Sequence, residues 1–149
     1  MASYTLEGDL GRLRIAPPRA PRRADRLWEH TCCEVFIGRK GLPAYHEFNL
    51  APSREWAAYA FKGYRNGVPL AGEEMDLRIA VRRAADRFEI EGRIRLDRLG
   101  YGGSLSIGLS VVVEDENGAL SYWALKHPPG KPDFHHREAF ALELDEARH

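Results

Sequence analysis

"RFEIEGRIRL", Arg87 to Leu96, settles the fold class. Phe88, Ile90, Ile94 and Leu96 fall on one side of a period of two, and Glu89, Glu91, Arg93 and Arg95 on the other. Successive side chains of a strand point to opposite faces, so this is a strand with one face buried and one wet, as in an antiparallel sheet. The stretch just before it, "DLRIAVRR", repeats the pattern with Leu77, Ile79 and Val81 inward, and the short "AAD" between them reads as a hairpin turn. Arg78 and Arg82 are then expected to face Glu91 and Glu89 across the pair.

The same period runs outward along the chain. "SLSIGLSVVVE" places Leu105, Ile107, Leu109, Val111 and Val113 on one face. Asn117-Gly118 follows as a tight-turn signal, because both residues tolerate positive φ, and "LSYWALK" is the return strand. Further strands are expected at "TLEGDL", "GRLRIA", "CCEVFIG", "YHEFNLA", "REWAAYAF" and "AFALEL", and helical turns only at "EEMDLR" and "LDRLGYG". Nine or ten strands without a periodic helix predict an all-β fold, a single antiparallel β-sandwich of jelly-roll type spanning residues 1–149 as one domain. The loops of unusual composition are "APPRAPRRADR", "KGYRNGVPLAGEE" and "HPPGKPDFHH".

The totals narrow the function. Lys+Arg and Asp+Glu are both 22, a formal net charge of zero, so the chain lacks the basic excess that nucleic acid or an anionic membrane demands. The five arginines of "APPRAPRRADR" read as a solvated segment rather than a phosphate site. No apolar run approaches the roughly 20 residues of a membrane span, and "MASYTLEGDL" lacks the pattern of a signal peptide. Cys32 and Cys33 are adjacent, which suits free thiols and a reducing compartment, so a cytoplasmic location is expected.

The residues able to carry chemistry cluster in three places. In "AYHEFNLAPS", Tyr45, Glu47 and Asn49 share one strand face, opposite His46, Phe48 and Leu50. In "CCEVFIG", alternation puts Glu34 with Cys32 and Phe36. A sheet face floored with such hydrogen-bonding groups is either an outer surface or the bottom of a binding site. The third place is "KHPPGKPDFHH", a segment that three prolines stiffen and Gly130 turns back. It is read as a pocket rim in which Lys126 and His127 emerge beside Trp123, Phe134 anchors the loop, His135 returns to the site and His136 stays in solvent. No metal-binding spacing such as H-E-x-x-H or C-x-x-C exists, so no metal ion or other cofactor is expected, and neither serine nor cysteine stands in a nucleophile motif.

"LWEHTCCEVFIG", "AYHEFNLAPSREWAAYAFKGYR" and "LSYWALKHPPGKPDFHHREAFALEL" together resemble the bacterial DOMON-like proteins. These are a stand-alone group within the superfamily of DOMON domains and family-nine carbohydrate-binding modules. The resemblance covers about the last four-fifths of the chain. It implies a β-sandwich that binds sugar or haem in a pocket on one sheet. Its sugar-binding members clamp a terminal sugar between two tryptophans, for which Trp28 and Trp123 are the candidates here, with Glu47 and Asn49 as hydrogen-bond partners. Its haem-binding members offer a methionine with a histidine, or a lysine instead, and here Met75 stands in the acidic "GEEMDLR".

The expected function is therefore a non-catalytic module for a small molecule, most of all a carbohydrate. The expected ligand-binding residues are Trp28, His30, Glu34, Glu47, Asn49, Trp123, Lys126, His127 and His135. The alternatives are an enzyme acting on a small polar metabolite with His127 or His30 as general base, and a haem carrier.

Overall fold

The computed structural model describes residues 1–70 and 76–145. Its strands are β1 (Ala2–Glu7), β2 (Arg22–Arg23), β3 (Cys32–Arg39), β4 (Tyr45–Leu50), β5 (Glu55–Gly63), β6 (Asn66–Pro69), β7 (Arg78–Arg83), β8 (Arg87–Arg93), β9 (Leu105–Glu114), β10 (Leu120–Ala124) and β11 (Leu142–Leu144). Helical structure among the described residues is confined to short 3-10 turns, among them Leu27–Glu29, Leu96–Leu99 and Arg137–Ala139. The all-β sandwich expected from the alternation is the observed fold.

A small sheet of order β1-β8-β7 lies against a large one of order β10-β9-β3-β4-β5-β2, with β11 added on β9 and β6 on β5. The core between them follows from the period of two. Cys33, Val35 and Ile37 of β3, Phe48 and Leu50 of β4, and Leu105 and Ile107 of β9 meet Tyr4 of β1 and Phe88 and Ile90 of β8. Each such large side chain, fully buried, contributes about 1.5–3 kcal/mol. The sheets approach closely at Gly92, where an added Cβ would stand 2.5 Å from Leu50 Cδ1.

Some local expectations are corrected. The large sheet is mixed rather than purely antiparallel, because β2 pairs parallel to β5. The proline-bounded segment reaches that edge only as an extended strap, held by Arg19 N–H to Ser53 O and Ala24 N–H to Trp56 O. Its arginines meet carboxylates: Arg22 with Glu55, Arg23 with Asp25 and Arg26 with Glu29.

"GRLRIA" forms no strand. Asp9 caps a 3-10 turn at Leu10–Arg12, and only Leu13 bridges to Asp115. "KGYRNGVPL" is not a loop but the end of β5 and all of β6, joined through Tyr64 and Arg65, with Arg65 in the left-handed region at φ 55°. Arg82 stands opposite Glu89 as expected, whereas Arg78 stands opposite Arg93 and pairs with Asp76. Met75 and the rest of "GEEM" lie outside the described residues. The helical turn expected at "LDRLGYG" is present.

Among the described residues no sheet covers the second face of the large sheet. It carries Cys32, Glu34 and Phe36 of β3, Tyr45, Glu47 and Asn49 of β4, and Ser110 and Val112 of β9, as the registers require. The segment after β10 folds over one end of this face. Phe134, Ala139 and Phe140 pack on Phe36, Tyr45 and Val112 as a second apolar cluster. The other end stays open, and there the chemistry collects.

Candidate functional site

A cavity of about 540 Å³ opens on this second face, within the range typical of small-molecule sites. Its floor comes from the sheet: Glu34, Glu47, Tyr59, Phe61 and Val112. Its walls come from connections: Trp28 from a 3-10 turn, Tyr122 from β10, Arg65 and Gly67 around the β5–β6 turn, and Pro132, Phe134 and His135 from the proline-rich loop.

Strand register explains the floor. Glu34 lies opposite Asn49 on one side and Ser110 on the other, while Glu47 lies opposite Phe36 and Tyr59. Glu34 and Glu47 are thus diagonal neighbours on one face of the β3–β4 pair, where side chains interact. Both are nearly inaccessible, at 4% and 6% exposure. Burial, and then the charge of Glu47, drives Glu34 well above the usual carboxylate range. Burial raises Glu47 to about 7, with Arg65 opposing. Burial therefore favours the neutral form of both carboxyls, and Glu47 is the one poised to titrate near neutral pH.

His135 is tied in from the rim. Its Nδ1 lies 2.8 Å from the Tyr45 hydroxyl, and its Nε2 lies 3.8 Å from Glu47 Oε2. The Tyr45 oxygen already accepts the Arg65 N–H at 3.0 Å, so its own proton goes to Nδ1. That leaves the Nε2–H edge facing Glu47. Burial, followed by the charge of Arg65, lowers His135 to about 4, and it stays a neutral imidazole.

The rim is latched to the β5–β6 turn through Asp133. Asp133 Oδ1 accepts from Arg65 Nη2 at 2.9 Å and from the His135 N–H at 3.1 Å, and Oδ2 accepts from the Tyr64 hydroxyl. Burial would raise this carboxyl, but the bonds from Tyr64 and Arg65 hold it below its ordinary value. The loop does carry the rim, with Phe134 buried, His135 inward and His136 outward.

The residues expected from sequence divide. Trp28, Glu34, Glu47 and His135 come together in the cavity. Asn49 sits beside Glu34 but deeper, at 0% exposure, and both its amide atoms lack a hydrogen-bond partner, as does Ser110 Oγ. Trp123, Lys126 and His127 are not lining residues. Trp123 is 63% exposed and stands opposite Val111, on the reverse face of β10, while Tyr122 stands opposite the cavity residue Val112. His127 is exposed with its ring near Phe134. His30 lies 3.1 Å from both carboxylate oxygens of Glu114, at a second cavity of about 640 Å³ that shares no lining residue with the first. The third tryptophan, Trp56, belongs to the core.

Tyr59, Phe61, Arg65 and Tyr122 were not anticipated. Carrying the Tyr45–Glu47–Asn49 face across the next hairpin leads to Phe61, Tyr59 and Ala57, so two of them were within reach of alternation. Alternation within "SYWALK" also separates Tyr122 from Trp123. No local signal brings Arg65 to the site. Among the described residues no group of three or more His, Cys, Asp and Glu side chains could hold a metal ion, and no helix is long and apolar enough to cross a membrane. Comparison of the chain with protein-family models, with curated proteins and with solved structures finds no match.

Proposed function

We propose that the protein is a binding module for a small polar ligand of sugar-like chemistry, with the DOMON-like resemblance as its family reading. One observation carries this: two buried carboxyls, both raised by burial, floor a cavity walled by aromatic rings. A protonated carboxyl both donates and accepts, and a carboxylate accepts, so adjacent hydroxyls of either polarity find partners. Trp28 and Tyr122 supply apolar faces for stacking, in place of the expected tryptophan pair. Because each hydrogen bond to ligand replaces one to water, for a net of about 0.5–1.5 kcal/mol, weak affinity is expected. Titration of a panel of mono- and disaccharides, followed by backbone amide shifts, tests the reading. Shifts should gather at Glu34, Glu47, Tyr59 and Tyr122, and no shift up to millimolar concentration would overturn it.

The enzyme reading is supported by a specific pair. Glu47 at about 7 stands 3.8 Å from a neutral imidazole, and a group that titrates near the working pH suits acid–base chemistry. In that reading Glu47 and His135 replace His127 and His30 as the acting residues. Release of new products from a bound sugar, lost in Glu47→Gln, would favour it over simple binding.

A further inference from the structure

We infer that the ligand carries a protonated amino group, which docks between the Glu34 and Glu47 carboxyls and the aromatic walls. The inference rests on the binding-site reading above and narrows its ligand class.

No fixed cation touches the floor. Among the described residues Glu34 makes no ion pair, and the basic group within 4 Å of Glu47 is His135 at 3.8 Å, an imidazole that is neutral. Arg65 lines the same cavity and favours the charged form of both carboxyls from a distance, but its guanidinium is bonded to Asp133 and Tyr64. Two carboxyls this deep, aimed into a cavity with no cation in contact, are costly to the folded protein. A cation that enters the cavity removes that cost. Among the described residues the elements that face the pair present Tyr59 and Phe61 from β5, Val112 from β9 and Phe134 and His135 from the rim, and the one fixed positive charge, Arg65 of the β5–β6 turn, is already shared with Asp133.

The walls fit the same occupant. Trp28 and Tyr59 meet edge to face at 6.1 Å, and Tyr122 and Phe134 do so at 6.0 Å, so two aromatic pairs border the cavity. Aromatic faces attract cations through their quadrupoles, most strongly where water is excluded. The Tyr59 hydroxyl is buried and has no hydrogen-bond partner. It lies on the floor opposite Glu47 and can accept an N–H from the ligand. Neutral hydroxyls would be served by the carboxyls alone, but only a cation uses both the uncompensated charge and the rings.

The test compares a hexose with the same hexose in which an amino group replaces the primary hydroxyl, and with the N-acetylated form of that amine. Calorimetric titration is run at about pH 8, where Glu47 is ionised and an aliphatic amine is protonated, and again at about pH 5.5. The amine should bind at least tenfold tighter than the parent hexose at the higher pH. That advantage should shrink at the lower pH, and vanish on acetylation and in Glu47→Gln. Should Glu47→Gln fail to fold, loss of the advantage on acetylation and at the lower pH decides in its place. Equal binding of hexose and amine overturns the inference while leaving the sugar-site reading intact. If neither sugar binds, butylamine decides. Binding that Glu47→Gln abolishes upholds the amine site and removes the sugar, and no binding removes both.

Discussion

The hydroxyl of Tyr45 lies 2.8 Å from Nδ1 of His135 and, by donating its proton there, places the ring hydrogen on Nε2, the nitrogen that faces Glu47 at 3.8 Å. Tyr45 itself is held by the Arg65 N–H and by stacking on Phe61 at 4.7 Å, so the ring orientation is inherited from the sheet. Nitrogen chemical shifts should show His135 as the Nε2–H tautomer. Tyr45→Phe removes that constraint and leaves the Arg65 N–H without its acceptor. It should cost about 1–3 kcal/mol of stability and give a mixture of tautomers. A single Nε2–H form in the variant would contradict the assignment.

Glu47 and His135 make opposing contributions to stability against pH. The folded-state pKa of Glu47 is raised from 4.5 to about 7, so its burial cost is fully present above about 7 and is relieved as pH falls toward 4.5. His135 is lowered from 6.5 to about 4, so the stability it lends is full above 6.5 and is lost as pH falls toward 4. Between 6.5 and 4.5 the two slopes, each about 1.4 kcal/mol per pH unit, largely cancel. Glu47→Gln leaves the His135 slope uncompensated. The variant should be more stable than the parent at pH 8 by a few kcal/mol, and should lose that advantage by about pH 4.5. Parallel denaturation curves for the two proteins across this range would refute the pairing.

Arg65 and Asp133 should matter for binding more than for stability. The guanidinium side is 55% exposed, and exposed ion pairs contribute about 0–1 kcal/mol. Arg65→Ala should therefore shift the melting temperature little. It should, however, speed amide exchange across Lys131 to His136 and weaken ligand binding severalfold, because the rim then has to be ordered on binding. Unchanged exchange in that segment would show that Phe134 and Phe140 hold the loop without the latch.

Adjacent residues of β10 should behave differently. Tyr122→Ala removes a cavity wall and should weaken ligand binding by about tenfold, the loss of roughly 1.4 kcal/mol of stacking. Trp123→Ala, on the reverse face, should leave binding within twofold. Both side chains are exposed, at 43% and 63%, so neither change should move the melting temperature by more than a few degrees. Equal losses from the two would mean that the register of β10 has been misread.

Gly92→Ala probes the sandwich itself. The new Cβ would meet Leu50 Cδ1 at 2.5 Å, an overpacking expected to cost about 1–3 kcal/mol. Truncating Leu50 to Ala in the same protein should recover part of that loss, and purely additive effects would argue against direct contact.

Alternation alone decided much of this protein. Each residue of "CCEVFIG" and "YHEFNLA" takes a face by parity, so Cys33 and Phe48 go to the core and Glu34 and Glu47 to the other side, whatever the partner strands are. The strands, the sandwich and the shared face of the two acids were therefore legible locally. Chain punctuation was also legible: three prolines and a glycine end β10 and make the rim, with His135 inward.

Parity says nothing of what lies opposite. That Arg65 would turn left-handed and reach Asp133, 68 residues away, depends on the β5–β6 turn and the proline-rich loop arriving at one edge. The choice of Tyr122 over Trp123 required knowing that Val112, not Val111, shares the face of Glu34. His30, a candidate ligand residue and general base by sequence, is delivered by folding to Glu114 at a separate cavity. The titration of the site is tertiary for the same reason. Glu47 rises to about 7 because β3, β4 and β5 together exclude water from it more strongly than Arg65 can offset, and desolvation is a property of everything packed around a residue rather than of the residue itself.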